Sequence, residues 1–235
     1  MALSRRAKGG REVCLTMAAR SSAELSSDSI LDLAALAATQ RHDDPFPYVI
    51  VPHFVRPVAL RAIAADYPRI DRPGSFPISE LSLGPEFGAF ASVLGGPAFR
   101  DAVAAKFGID LRGRPTNITV RAQARARDGR IHNDGRGKLL TVLIYMNEVW
   151  EPSAGRLRLL RSPHDLNDVV AEIPPEAGTM LAFRVTENSW HGHASVSGPR
   201  RVVQLNWFES KVTVLREHAL HRVSARVKRA LSRFR

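Results

Sequence analysis

The sequence predicts an α+β chain, with helices in its first half and a β-sandwich or jelly roll in its second. Three observations predict it. Apolar segments opened and closed by Pro and Gly recur up to residue 108, strand-length segments succeed one another from residue 117, and Gly, Pro, Asn or Asp lies between most of those strands. With 235 residues, 44% of them hydrophobic, the chain can bury a core of its own and reads as one domain with tails.

Residues 1–27 are polar, rich in Ser, Arg and Gly, and lack periodicity, so a disordered basic tail is expected there. A domain is expected over 28–210, with a helical and strand opening at 28–116 and the strand-rich core at 117–210. Asp28 and Ser29 lead into "ILDLAALAATQ", a short apolar helix. "FPYVIVPHFV" (46–55) reads as a strand whose Pro52 marks an edge or an end. Pro57 suits the first turn of a helix over "RPVALRAIAADYP", and "GPAFRDAVAAKFG" (96–108) is a second helix opened by Pro97 and closed by Gly108. The strands are then "NITVRAQARA", "KLLTVLIYMNEVW", "GRLRLL", "DVVAEI", "GTMLAFRV" and "RVVQLNWFES". Over 211–235 helical spacing returns: Leu220, Val223, Val227, Leu231 and Phe234 form one stripe, and Arg222, Arg226, Arg229 and Arg233 another, so a basic amphipathic C-terminal helix is expected.

The net charge of +11 belongs to the ends. Residues 1–20 hold five Lys/Arg against Glu12, residues 211–235 hold eight against Glu217, and the stretch between them is neutral. The core therefore carries no strong nucleic-acid signal, whereas the basic tails could contact an acidic partner or a membrane surface. Their simpler role is a packed stripe with solvated arginines. Cys14 is the single cysteine, which excludes an internal disulfide and a Cys-rich zinc site. No apolar run is long enough to span a bilayer, and no apolar segment follows "MALSRRAKGG" to make a signal peptide, so a cytoplasmic location is expected.

The chemistry gathers in two places. In "RIHNDGRG", His132 and Asp134 are two apart, so an extended segment sends both side chains to one face, about 6.5–7 Å apart at Cα. In "NSWHGHASVSGPRR", His191 or His193 can supply a third ligand. Two imidazoles and one carboxylate occupy one face of an octahedron and leave three positions open, the arrangement of non-haem Fe(II) oxygenases. Strand parity puts Thr141, Leu143 and Tyr145 on one face of "LTVLIYM". It also puts Arg201, Val203, Leu205 and Trp207 on one face of "RRVVQLNW", with Arg200 on the other. An arginine facing inward from a mostly apolar strand needs an anion, and a bound dicarboxylate would meet it in bidentate geometry, with hydroxyls from Tyr145 and Thr141.

At these residues the sequence resembles the prolyl-4-hydroxylase-like branch of the 2-oxoglutarate/Fe(II)-dependent dioxygenase superfamily. The likeness runs through His132-Asn133-Asp134, "LTVLIYMNEVWE", "GRLRLL", "PEAGTMLAF", Trp190-His191 and "GPRRVVQLNWF". It covers about residues 117–209, and more faintly the opening from residue 46. It implies a double-stranded β-helix (jelly roll) with N-terminal supporting helices. It also implies His132, Asp134 and His191 as metal ligands and catalytic residues, His191 being chosen over His193 because it follows an aromatic residue and precedes an arginine by ten. Arg201 and Tyr145 become partners of the distal carboxylate of 2-oxoglutarate, Thr141 lines the same pocket, Trp207 walls the cavity, and Gly155 matches a small residue at a strand start. The implied cofactors are Fe(II), 2-oxoglutarate as cosubstrate and O2, with ascorbate as a candidate reductant. The implied reaction hydroxylates a small molecule, a sugar or lipid derivative or a protein side chain, releasing succinate and CO2.

Two other functions compete. Nucleic-acid demethylases of this superfamily carry a second arginine six residues beyond the first, where this chain has Trp207. A non-enzymatic jelly-roll protein binding a metal or ligand would not need the complete set of iron and cosubstrate residues. Arg200 is expected to form a surface or inter-strand salt bridge, Arg136 and Lys138 to belong to a charged loop, and His193 to neighbour the site.

Overall fold

A computed structural model describes residues 27–135, 137–150 and 154–212. The expected tail over 1–27 and the expected basic helix over 211–235 lie outside the described residues, apart from Ser27, Lys211 and Val212. Among the described residues no helix is long and apolar enough to cross a membrane.

The opening supplies α1 (Ser27–Ile30), α2 (Leu33–Ala38), β1 (Tyr48–Val51), α3 (Pro57–Ala65), β2 (Phe76–Pro77), α4 (Pro85–Leu94) and α5 (Pro97–Phe107). The single helix expected after Asp28 is two, because Asp32 turns its carboxylate onto the Ala35 N–H at 2.9 Å and so caps a new start. β1 ends before Pro52 and lies at the edge of its sheet, as that proline predicts. α5 begins at Pro97 and ends at Gly108, whose φ of 64° is the left-handed conformation of a helix C-terminus.

α4 was not anticipated, and its capping is borrowed. Its N-terminal Gly84 has no side chain, so Asp66, at the end of α3, accepts the Phe87 N–H at 2.9 Å. A Cβ on Gly84 would lie 1.8 Å from Asp66 Oδ1. Gly84→Ala should therefore dislodge that cap and cost about 1–2 kcal/mol, the usual worth of a helix cap. Urea denaturation would measure it, and unchanged stability would show that Asp66 does not cap α4.

From residue 116 the strands follow: β3 (Thr116–Ala124), β4 (Lys138–Tyr145), β5 (Leu157–Leu160), β6 (Val169–Ile173), β7 (Met180–Arg184), β8 (His191–Gly192) and β9 (Gly198–Phe208). They form a six-stranded antiparallel sheet ordered β1-β7-β4-β9-β3-β2 and a small sheet ordered β6-β5-β8. A bridge between His132 and His191 adds one further pairing beside β8. This is the expected double-stranded β-helix.

The large sheet is buried on both faces, and the two faces differ in what covers them. On one face Val142, Ile144, Val203, Leu205 and Trp207 pack with Phe54, Phe87, Phe90, Phe99 and Val103 of the helical layer. On the other, Tyr145, Leu181, Phe183 and Val202 pack with Leu157, Leu159 and Ile173 of the small sheet. That second space, between the two sheets, is the interior in which the site lies.

Candidate active site

His132 leads into the loop before β4, Asp134 lies in that loop, and His191 opens β8. The His132–His191 bridge, with backbone hydrogen bonds of 2.9 and 3.0 Å in both directions, brings the separated segments together. One donor atom from each of His132, Asp134 and His191 lies within 4.8 Å of the others. Each Nε2 is 3.9 Å from Asp134 Oδ1.

The backbone orients both rings. His132 Nδ1 is 2.8 Å from the Arg130 carbonyl and His191 Nδ1 is 2.9 Å from the Ser189 carbonyl. A carbonyl only accepts, so each Nδ1 carries a proton and each Nε2 faces the carboxylate. Burial pushes the His191 imidazole below its ordinary pKa, and Asp134 only partly opposes that, so the ring is neutral and able to ligate. Burial resists ionisation of Asp134, but the Lys138 ammonium, His191, the Thr141 hydroxyl and His132 together hold its carboxyl below the usual range. The anionic form needed by a metal is thus the stable one.

Tyr145 lies four residues beyond Thr141 on the interior face of β4. Its Oη is buried and makes no well-formed hydrogen bond among the described residues, the nearby Arg200 guanidinium being the polar group that interacts with it. Burial raises the phenol's pKa, with Arg200 partly opposing the shift, so it remains an O–H donor. The Arg200 guanidinium stands 5.5 Å over the Tyr145 ring and is buried. Its Nε and Nη2 both donate to the Gly155 carbonyl at 3.3 Å. Gly155 has φ +80°, and a Cβ there would lie 2.6 Å from the Trp150 ring and 2.8 Å from Val196 Cγ1, so this close turn requires glycine.

Arg201 and Trp207 do not share this space. Arg201 turns to the helical layer, where its guanidinium lies 5.1 Å over the Tyr67 ring and donates to the Ala64 carbonyl at 3.5 Å. Trp207 packs 6.1 Å from the Phe99 ring on that same side. The expectation correctly separated the two arginines by strand parity but assigned the interior to the wrong face. The uniformly apolar face of β9 is the one covered by helices, whereas the mixed face of Arg200, Val202, Gln204 and Asn206 lies toward the small sheet. Thr141 reaches the site in a different place from the one expected: its hydroxyl donates to Asp134 Oδ2 at 2.5 Å. His193 is buried outside the donor cluster, with its backbone N–H donated to the Gly129 carbonyl at 2.8 Å, and burial followed by Arg200 lowers its pKa to about 4. Lys138 is more than a loop charge, since its Nζ is 3.5 Å from Asp134 Oδ1.

The donor set and the buried phenol beside a buried guanidinium fit a divalent metal accompanied by an organic anion. A family model described as the 2OG-Fe(II) oxygenase superfamily matches residues 122–209. No curated protein matches the chain. Among solved structures, a Pseudomonas putida prolyl-4-hydroxylase is 20% identical, with 75% of this chain and 91% of that one covered and a TM-score of 0.49. A prolyl 4-hydroxylase from Phytophthora capsici is 15% identical over 79% of this chain and 65% of that one, with a TM-score of 0.51, and supports the fold. HygX from Streptomyces hygroscopicus, solved with nickel and 2-oxoglutarate bound, is 12% identical over 70% and 83% of the chains, with a TM-score of 0.45. Residues 122–209, the part of the chain that matches the 2OG-Fe(II) oxygenase superfamily model, carry the three clustered donors, Tyr145 and both arginines.

Proposed function

We propose that the protein is a dioxygenase that uses Fe(II) and 2-oxoglutarate to hydroxylate a C–H bond of a small molecule, a sugar or lipid derivative or a protein side chain. The observation that carries this reading is one interior holding three clustered metal donors, a buried guanidinium and a buried phenol that makes no well-formed hydrogen bond. His132, Asp134 and His191 hold the iron. Arg200, in the role expected of Arg201, pairs with the distal carboxylate of 2-oxoglutarate, and the Tyr145 O–H donates to the same carboxylate. When bound, iron and 2-oxoglutarate supply the oxidation, in which one atom of O2 leaves in succinate as CO2 is released and the other enters the substrate as hydroxyl. Phe183, whose ring lies 4.9 Å from that of His191, and the apolar side chains behind it keep water from the reacting centre.

The test is binding of 2-oxoglutarate to anaerobic Fe(II)-loaded protein, followed by succinate release under air. Wild type should bind and turn over slowly even without its substrate. His132→Ala should lose metal affinity by about 100-fold or more, at or beyond the upper end of the 10–100-fold that losing a mere supporting partner costs. Wild-type protein that takes up Fe(II) but not 2-oxoglutarate would leave the metal-binding jelly roll without enzymatic activity as the better reading.

A further inference from the structure

The carboxylate of Asp134 has two oxygens in different company. Oδ1 faces both imidazole Nε2 atoms at 3.9 Å and the Lys138 ammonium at 3.5 Å. Oδ2 accepts the Thr141 hydroxyl at 2.5 Å. Thr141 Oγ1 is also 3.0 Å from Asn206 Oδ1, which in turn accepts from Gln204 Nε2 at 3.1 Å.

The Thr141–Asp134 hydrogen bond joins a ligand on a loop to the stiffest part of the fold. Thr141 and Asn206 are paired residues of β4 and β9, the two central strands of the large sheet, and both are buried. A β-branched threonine has few rotamers, and in a central strand its hydroxyl is held in place by the sheet. The hydroxyl has one proton, and donating it to Oδ2 leaves that oxygen occupied.

Resting on the metal assignment above, we propose that Thr141 and Lys138 divide the Asp134 carboxylate between them: Thr141 holds Oδ2 and makes Asp134 a one-oxygen ligand, while Lys138 occupies Oδ1, so the metal enters in exchange for an ammonium. Thr141 is a positioning residue in this scheme. Without its hydroxyl the carboxylate can rotate or present both oxygens to the metal, and a buried acceptor loses its donor. Lys138 acts in the opposite sense, because a cation beside the metal's own oxygen repels a divalent ion. The protein gains a carboxylate whose two oxygens are each held in place by a neighbouring side chain.

The experiment is Mn(II) titration followed by electron paramagnetic resonance, without 2-oxoglutarate, together with the absorption spectrum of Co(II)-loaded protein. Thr141→Val should weaken Mn(II) binding by about 10–100-fold and alter the Co(II) spectrum, the loss expected for a partner that orients a ligand. Thr141→Ser, which keeps the hydroxyl, should restore both to near wild type. Lys138→Met should tighten Mn(II) binding by about tenfold, a modest share of the unscreened repulsion between such charges. Wild type that fails to bind Mn(II) would refute the metal assignment itself. Wild-type binding with an unchanged Thr141→Val, or a folded Thr141→Ser that binds as poorly as a variant without the hydroxyl, would overturn the role of Thr141. Weaker binding or no change in Lys138→Met would overturn the exchange. If Thr141→Val does not fold, the serine variant and Lys138→Met still decide the two halves.

Discussion

Arg200→Ala should weaken 2-oxoglutarate binding to the anaerobic metal-loaded protein by roughly 30- to 4,000-fold, the equivalent of about 2–5 kcal/mol for one partner of a buried charge pair. Arg201→Ala should leave that affinity within about threefold. The contrast follows from the side of the sheet each reaches. Arg200 is buried over the Tyr145 ring, in the interior that also receives His191. Arg201 lies over Tyr67 and reaches the Ala64 carbonyl of α3, so its loss removes a cation–π contact, worth about 0.5–1 kcal/mol, and reaches no cosubstrate. Calorimetry on the two variants decides the matter. Loss of binding in Arg201→Ala with retention in Arg200→Ala would refute the face assignment. Tyr145→Phe is a milder probe of the same anchor, since it removes only the buried hydroxyl that makes no well-formed hydrogen bond.

The arginine pair also marks where sequence reasoning reaches its limit. Alternation along a strand says which residues share a face, and it separated Arg200 from Arg201 correctly. It does not say which face meets helices and which meets the second sheet, because that is decided by residues far away in the chain, here Phe87, Phe90 and Phe99 against Leu157, Leu159 and Ile173. A usable signal was present: a face of Val203, Leu205 and Trp207 suits a dry helical contact, while Gln204 and Asn206 beside Arg200 suit a space that admits polar groups. The metal donors were easier to read. Two candidates two residues apart follow local chain geometry, the family resemblance chose His191 over His193 as the third, and the long-range bridge brings the three together. Lys138 was harder, because it acts through Asp134 and touches nothing that a motif describes. α4 escaped notice although Phe87, Phe90, Ala91 and Leu94 recur at helical spacing, since Gly84 and Gly88 weaken the local preference and its cap comes from Asp66, outside the helix.

Trp207→Ala should destabilise the fold by about 3–5 kcal/mol, the range for deleting a large aromatic side chain from a packed core. Trp207 is only 2% exposed, packs against Phe99 and belongs to the cluster joining the large sheet to the helices. A wall of the cosubstrate cavity would behave differently, because its removal would enlarge the pocket and change ligand affinity with little effect on stability. The two measurements therefore separate the expected role from the observed one. Urea unfolding should show a lower midpoint, while 2-oxoglutarate affinity, corrected for the folded fraction at low temperature, should stay within about twofold, as expected for sites that share no partner. Paired with Arg200→Ala, the result would place the two faces of β9 by opposite effects: a residue of the interior face would govern ligand binding and one of the helical face stability. A Trp207→Ala protein of unchanged stability but lost cosubstrate affinity would reverse the assignment of both faces.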